Sequence, residues 1–123
     1  MTSGVWRVIL NHMVQYSRQL DSAFAALSDP TRRGILEWLG GRDASISDLA
    51  SRFSMTLTGM KKHVRTLEDA KLVTTEKVGR VRHVRLGPHR LEQEAAWIEK
   101  YRDMVESRYD RLDAFLERTK ENP

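Results

Sequence analysis

Three cations, Lys61, Lys62 and Arg65, are the residues of this chain whose types and spacing best suit a chemical task. They lie in a segment whose apolar residues recur at i, i+4 and i+7, namely Met60, Val64 and Leu67. That spacing predicts a helix with one buried stripe, which leaves the cations facing solvent, where they can bind phosphate oxygens or base edges. Taken alone, the segment is also compatible with an ordinary amphipathic surface helix whose lysines are solvated.

A second group of cations follows in a stretch of alternating apolar and polar residues. Residues 73–78 and 81–86 flank Gly79-Arg80, a pattern that predicts a β-hairpin with Gly79 in its turn. The cations expected at or near its tip are Lys77, Arg80 and Arg82. A hairpin that is merely kept soluble by its charges usually mixes signs, so we expect this positive tip to contact backbone phosphates or the minor groove. The residues of the second strand expected to face the core are Val84 and Leu86.

The positive charge is concentrated in one third of the chain. Residues 52–90 contain ten lysine and arginine residues against three acidic ones, a net charge of +7, whereas the remainder has eleven against fourteen, a net charge of −3. Attraction to phosphate requires such a basic face, and we expect Arg52 to contribute to it. An alternative is a protein-interaction module whose basic face binds an acidic partner.

Two shorter helices are predicted before the basic helix, and each has a recognisable start. Asp29 can accept hydrogen bonds from the first backbone N–H groups of one helix, and Pro30 has no N–H to leave unsatisfied there. Ser45, with Asp48 three residues later, has the pattern of a capping box, and Thr56 is a suitable N-cap for the basic helix. The second short helix, a tight turn and the basic helix predict a helix-turn-helix motif, whose second helix enters the major groove.

Long segments with helical patterns flank this region. Residues 5–27 contain neither glycine nor proline and have apolar residues at three- and four-residue steps, which predicts one long helix or two joined ones. Residues 91–118 have apolar residues spaced by sevens, and a helix of that length is about 42 Å long. Such a helix is longer than a domain this small covers alone. We therefore expect its seam to meet a second copy; the alternative is that it folds back over its own core.

Composition narrows the function further. The absence of cysteine excludes disulfides, thiolate metal sites and thiol nucleophiles. No apolar run approaches the roughly 20 residues that span a bilayer, and no signal-peptide pattern is present, so a cytoplasmic protein without a membrane partner is expected. Motifs such as Gly-x-Ser-x-Gly and His-Glu-x-x-His are missing, and an enzyme is not expected. Translation could begin at Met1 or at Met13.

Several motifs in a fixed order resemble one family. Residues 24–36 (FAALSDPTRRGIL), 46–50 (ISDLA) and 62–73 (KHVRTLEDAKLV), followed by Gly79-Arg80 in a basic hairpin, resemble the ArsR family of bacterial winged-helix repressors. The likeness covers about residues 20–118. It implies a homodimeric transcriptional regulator that binds double-stranded DNA at an inverted-repeat operator. The first and last helices would form the dimer interface, and the recognition helices would lie in successive major grooves.

The resemblance also implies roles for individual residues. DNA-binding residues on the recognition helix and the wing would be Thr56, Leu57, Thr58, Lys61, Lys62, His63, Arg65, Arg80 and Arg82, to which the hairpin pattern adds Lys77. The expected dimer interface comprises Trp6, Ile9, Met13, Leu20, Leu91, Ile98, Tyr101, Val105, Leu112 and Phe115. The domains would be an N-terminal helical extension (1–19), a winged helix-turn-helix (20–90) and a dimerisation helix (91–123). The expected fold class is mainly α with a small β-hairpin, dimerised through its long N- and C-terminal helices.

The resemblance implies two kinds of metal site in the metal-sensing members of this family. One is a cysteine pair on the helix that here begins near Ser45, and the other is a set of histidine and acidic ligands on the last helix. This chain has no cysteine, and no histidine lies between residues 91 and 123. His83 and His89 are close in sequence and could ligate an ion with Glu92, but a histidine so placed is more often a phosphate contact or a surface group. No metal or other cofactor is therefore expected. The sequence resembles the metal-independent, autorepressor-like branch and identifies no effector.

Overall fold

Helices dominate the computed structural model, which describes the backbone of residues 3–121 and the side chains of residues 4–10 and 18–120. The elements in chain order are α1 (Ser3–Leu27), α2 (Pro30–Leu39), β1 (Ala44–Ser45), α3 (Ile46–Arg52), α4 (Leu57–Asp69), β2 (Val73–Val78), β3 (Val81–Leu86) and α5 (Glu92–Glu121). They form two compact units, one ending at Arg90 and the other beginning at Leu91. In the first unit, α3 and α4 form a helix-turn-helix, and the β2–β3 hairpin that follows is its wing. The predicted winged helix-turn-helix is confirmed, and α1 is a single helix.

The core of the first unit is built from one apolar stripe of each helix. The buried residues on these stripes are Ala23 and Ala26 of α1, Ile35 and Leu39 of α2, Ile46, Leu49 and Ala50 of α3, and Met60, Val64 and Leu67 of α4. The α4 residues are those whose spacing predicted a buried stripe. Their burial fixes which side of α4 faces solvent, and thereby which of its cations are available to a ligand.

The starts of three helices follow the predicted capping pattern. Each N-cap side chain accepts a hydrogen bond from the backbone N–H three residues later, at 3.0 Å for Asp29, 3.0 Å for Ser45 and 3.1 Å for Thr56. These bonds satisfy N–H groups that have no partner within the helix. At Asp29, the hydrogen bond from the backbone N–H of Arg32 is the main cause that lowers the pKa of the carboxyl below its ordinary value of 3.8.

The ends of α3 and α4 use a left-handed residue that is not glycine. Ser54 has φ 52° and Lys71 has φ 63°. At the end of α3, the N–H of Met55 donates to the carbonyl of Ala50 at 2.9 Å, and at the end of α4 the N–H of Leu72 donates to that of Leu67 at 3.0 Å. These are the 6→1 bonds of Schellman motifs, so both sharp turns are fixed by backbone bonds despite the steric strain of the left-handed conformation.

The wing is a regular antiparallel hairpin. Pairing runs from Val73 opposite Leu86 to Val78 opposite Val81, with a two-residue turn in which Gly79 has φ 64°. Glycine adopts this conformation without a steric penalty. The predicted hairpin and the predicted position of its glycine are confirmed.

A third strand, which the sequence pattern did not predict, completes the sheet. β1 pairs with β3 through Ala44 opposite Val84 and Ser45 opposite His83, so the strand order is β1-β3-β2. Val84 is completely buried, as predicted, but the prediction for Leu86 is wrong because its side chain is 44% exposed. Pairing with the short β1 reaches only as far as Val84, and Leu86 lies two residues beyond it on β3.

The second unit consists of α5, which has 30 residues and is about 45 Å long. Leu91 was expected to begin this helix, but it precedes it with φ 59°, and its carbonyl accepts a hydrogen bond from the N–H of Ala95 at 2.8 Å. Within α5, the rings of Trp97 and Tyr101 stack with their centroids 5.8 Å apart. Across the described residues, no helix combines the length and the apolar character needed to cross a membrane.

Candidate nucleic-acid interface

The exposed side of α4 and the wing line an open groove of about 790 Å³, which we call the basic groove. Its five cations are Lys61 and Arg65 from α4 and Lys77, Arg80 and Arg82 from the wing. Leu57 also lines it, and Leu57, Lys61 and Arg65 follow one another at four-residue steps, so they form one stripe of the helix. Two cation groups that lie 12 or more residues apart in sequence therefore face a common space.

Two cations of the wing lie on the same face of the hairpin as its buried residues. Lys77 and Arg82 are opposite each other in the β2–β3 register. Because paired residues share a face and successive residues alternate, both side chains lie on the same face as the buried Val73 and Val84. On the opposite face Arg85 donates to Glu76 at 2.6 Å. The groove-facing side of the wing is thus an extension of its core-facing side.

Acidic groups lie at the α4 side of the same groove. Glu68 and Asp69, at the C-terminal end of α4, are among its lining residues. The hydroxyl of Thr75 on β2 donates to Glu68 Oε2 at 2.6 Å, and it accepts a hydrogen bond from Arg82 Nη1 at 2.9 Å. One cation of the groove is therefore linked to a carboxylate on the helix through a single hydroxyl.

Four of the residues predicted to bind DNA lie outside the lining of the groove. Thr58 and Lys62 are exposed on a neighbouring stripe of α4, and the Thr56 hydroxyl accepts the N-cap hydrogen bond. His63 is half-buried, and its Nδ1 lies 3.3 Å from Nη1 of Arg32. Because a guanidinium only donates, a hydrogen bond between these two atoms has Nδ1 as its acceptor. His63 is half-buried because it lies beside the buried stripe, three residues after Met60.

Arg32 is a positioning residue that the sequence pattern did not single out. Its Nε donates to the carbonyl of Ala26 at 2.8 Å and its Nη2 to that of Ala25 at 3.1 Å, while Nη1 contacts His63. One side chain of α2 thus satisfies terminal carbonyls of α1 and contacts α4. The sequence pattern of residues 29–33 predicts a helix start and contributes to the family resemblance, but it assigns Arg32 no contact; the two consecutive arginines are the available signal.

Arg52, expected to contact phosphate, is held by an aromatic ring. Its guanidinium carbon lies 4.1 Å from the ring centroid of Trp38, and that of Arg42 lies 4.0 Å from the same ring. Both distances are within the range of cation–π attraction. Arg52 does not line the basic groove.

Among the side chains that the structure describes, no three or more histidine, aspartate or glutamate residues come together in an arrangement that could hold a metal ion. His83 is paired across the wing with Glu76 in the β2–β3 register.

Each unit also exposes large apolar side chains. On α1, Trp6 is 60% and Ile9 is 43% exposed, while Leu20 is half-buried. On α5 the exposed members of the expected interface are Ile98, Tyr101, Leu112 and Phe115. Leu91 and Val105 are half-buried, and Met13 lies outside the described side chains.

A helix-turn-helix whose second helix and wing line a basic groove defines a winged helix-turn-helix DNA-binding protein. The family described as a helix-turn-helix domain matches residues 27–76. The transcriptional repressor SdpR of Bacillus subtilis (strain 168) is 29% identical over 79 residues, which cover 64% of this chain and 88% of that protein. The crystal structure of the ArsR family transcriptional regulator RHA00566 matches with a TM-score of 0.68 and 38% identity, over 75% of this chain and 95% of that chain.

A more distant structure has the same fold. It is the solution structure of the homodimeric winged helix-turn-helix DNA-binding domain (fragment 1–100) of Mb0332 from Mycobacterium bovis, a possible ArsR-family regulator. It matches with a TM-score of 0.60 and 20% identity, over 73% of this chain and 83% of that chain. The 38% identity to RHA00566, over 95% of that regulator, shows that the chain belongs to the ArsR family. It is a DNA-binding transcriptional regulator, and the family is one of regulators and not of enzymes.

Proposed function

We propose that the protein is a homodimeric, metal-independent repressor that acts in the cytoplasm at an inverted-repeat operator. The basic groove is the observation that carries this proposal, since it brings cations of the recognition helix and of the wing to one surface. A dimer would place two such surfaces on successive major grooves, as two-fold helix-turn-helix proteins do. The name of SdpR, a transcriptional repressor, supports repression as the outcome of binding.

Base reading and phosphate binding would fall to different parts of the groove. Lys61 and Arg65, with Thr58 and Lys62 on the adjoining stripe, would reach base edges in the major groove, where an arginine can bind guanine through two hydrogen bonds. The wing cations Lys77, Arg80 and Arg82 would bind backbone phosphates, which supply affinity without sequence information.

The exposed apolar residues of α1 and α5 support dimerisation. A monomer rarely leaves so many large apolar side chains in water, and burial against a second copy would remove them. The description of the Mycobacterium bovis domain as homodimeric supports the same assembly. In this proposal residues 1–19 and 91–123 serve the dimer, and residues 20–90 bind DNA.

The absence of cysteine supports independence from metal. Thiolate is the ligand that soft metal ions prefer, and without it the chain lacks the donor set of a thiolate-based metal sensor. An excess of chelator should therefore leave operator binding unchanged, and addition of divalent metal ions should not release the DNA.

The division of roles is tested on a duplex selected by the protein from a random pool and on a scrambled duplex of equal length. We expect Arg65→Ala to weaken operator binding by about 1–3 kcal/mol with little change on scrambled DNA. Arg82→Ala should weaken both duplexes alike and reduce the slope of log K against log salt by about one. Arg118→Ala, which removes the same charge at the far end of α5, is the control. Equal losses on both duplexes for both groove variants would contradict the proposed roles.

A further inference from the structure

A chain of two hydrogen bonds links three elements around the basic groove. Arg82 of β3 donates to the Thr75 hydroxyl of β2 at 2.9 Å, and that hydroxyl donates to Glu68 of α4 at 2.6 Å. A hydroxyl has one proton, so its donation to the carboxylate leaves its lone pairs directed at the arginine. Both bonds involve a charged partner, and two such bonds in series strengthen each other.

Thr75 occupies the point at which the wing leaves the body of the protein. On the inner face of β2, Val73 is buried, Thr75 is half-buried and Lys77 is exposed. Burial along this face of β2 thus decreases from the base toward the tip, and the hydroxyl of Thr75 contacts Glu68 of α4 between the two. Lys77 and Arg80 lie beyond Thr75 toward the tip, so this contact lies between them and the buried base of the wing.

We propose that Glu68 and Thr75 are positioning residues that set the wing against the recognition helix and thereby determine operator specificity. This inference rests on the proposed function, in which α4 reads bases while the wing binds phosphates. At the operator both contacts must form together, and a wing that is already in place loses less conformational freedom on binding. On unrelated DNA the phosphates are equivalent, and a loose wing can bind wherever it lies.

Arg82 remains available to DNA while it is hydrogen-bonded to Thr75. A guanidinium has five N–H donors, and the bond to Thr75 uses one of them. The hydrogen-bonded chain therefore orients Arg82 without occupying it. Loss of these hydrogen bonds should reduce the preference for the operator duplex over unrelated DNA more than it reduces the affinity for DNA in general.

The test compares three variants with unchanged charge. Thr75→Val removes the hydroxyl and keeps a β-branched side chain, Thr75→Ser keeps the hydroxyl, and Thr74→Val makes the same change on the outer face of β2. Thr75→Val removes both hydrogen bonds of this network, and we expect it to weaken binding to the selected duplex about three- to tenfold. Binding to the scrambled duplex and the salt slope should stay unchanged, while Thr75→Ser and Thr74→Val should behave as the wild type.

A measurement without DNA separates this inference from the proposed function. Backbone hydrogen exchange at residues 76–82 should be faster in Thr75→Val than in Thr74→Val, because the wing has lost its contact with α4. Unchanged exchange, or equal losses on the two duplexes, would overturn the positioning role. A wild type that binds both duplexes alike would instead refute the proposed function. Hydrogen exchange would still decide whether the two hydrogen bonds of Thr75 hold the wing.

Discussion

Replacement of Arg32 by alanine should destabilise the protein far more than the same change at its neighbour Arg33. Arg32 donates to the carbonyls of Ala26 and Ala25 and contacts His63, whereas Arg33 makes one exposed bond to the carbonyl of Leu27 at 2.7 Å. In Arg32→Ala, the hydroxyl of Ser28 still donates to the Ala25 carbonyl at 2.6 Å. The loss therefore falls on the Ala26 carbonyl and on His63.

Ala26 is completely buried, so water cannot readily replace the lost donor. An unsatisfied buried carbonyl costs about 1–3 kcal/mol, and a hydrogen bond from a charged group contributes about 1.5–3 kcal/mol. With partial solvent access at His63, we expect a loss of about 2–3 kcal/mol for Arg32→Ala and less than about 1 kcal/mol for Arg33→Ala.

Urea unfolding at one fixed protein concentration measures this difference, since the apparent stability of a dimer depends on concentration. For a slope of about 2 kcal/mol per molar urea, the midpoint should fall by about 1–1.5 M in Arg32→Ala. Arg32→Lys should be intermediate, because lysine keeps the charge but not the planar fork of donors. Equal midpoints for Arg32→Ala and Arg33→Ala would refute the role assigned to Arg32.

Two further predictions concern the helix ends. Ser54→Gly and Lys71→Gly should each raise the free energy of unfolding by about 1 kcal/mol, because glycine adopts φ 52° and φ 63° without steric strain; alanine at these positions is the control in urea unfolding, and a glycine variant no more stable than the alanine variant would contradict the reasoning. The lowered pKa of Asp29 means that its ionised form is favoured in the folded state, so its contribution is complete above the ordinary value of 3.8 and is lost as the pH falls through the lower folded value. The difference in thermal midpoint between the wild type and Asp29→Asn should therefore shrink below about pH 4, and a difference that persists in acid would contradict this cause.

The short connection between α4 and β2 brings together the two sides of the basic groove. α4 ends at Asp69, the backbone turns sharply at Lys71, and β2 begins at Val73, so the recognition helix and the wing are adjacent along the chain as well as in space. Glu68, the last residue but one of α4, is seven residues from Thr75, which in turn is seven residues from Arg82. A short connection thus brings helix and wing close enough for one hydroxyl to bridge them.

The local features of this protein were determined by the sequence itself. The buried stripe of α4, the caps at Asp29, Ser45 and Thr56, and the glycine of the wing turn depend on residues within a few positions of one another. Hydrophobic periodicity and short-range hydrogen bonds act over that distance, so these features can be recognised in the sequence without knowledge of the tertiary structure. The side of α4 that carries Lys61 and Arg65 follows directly from the stripe.

Contacts between elements were decided only by the tertiary structure. Arg32 and His63 are 31 residues apart, and nothing near either residue in sequence indicates that they meet. Likewise, β1 pairs with β3 only as far as Val84, which leaves Leu86 exposed, and Arg52 stacks on the ring of Trp38 and does not line the groove. The direction of a long side chain depends on which element packs beside it, so the sequence could supply the cations of the groove but not the neighbours that hold them.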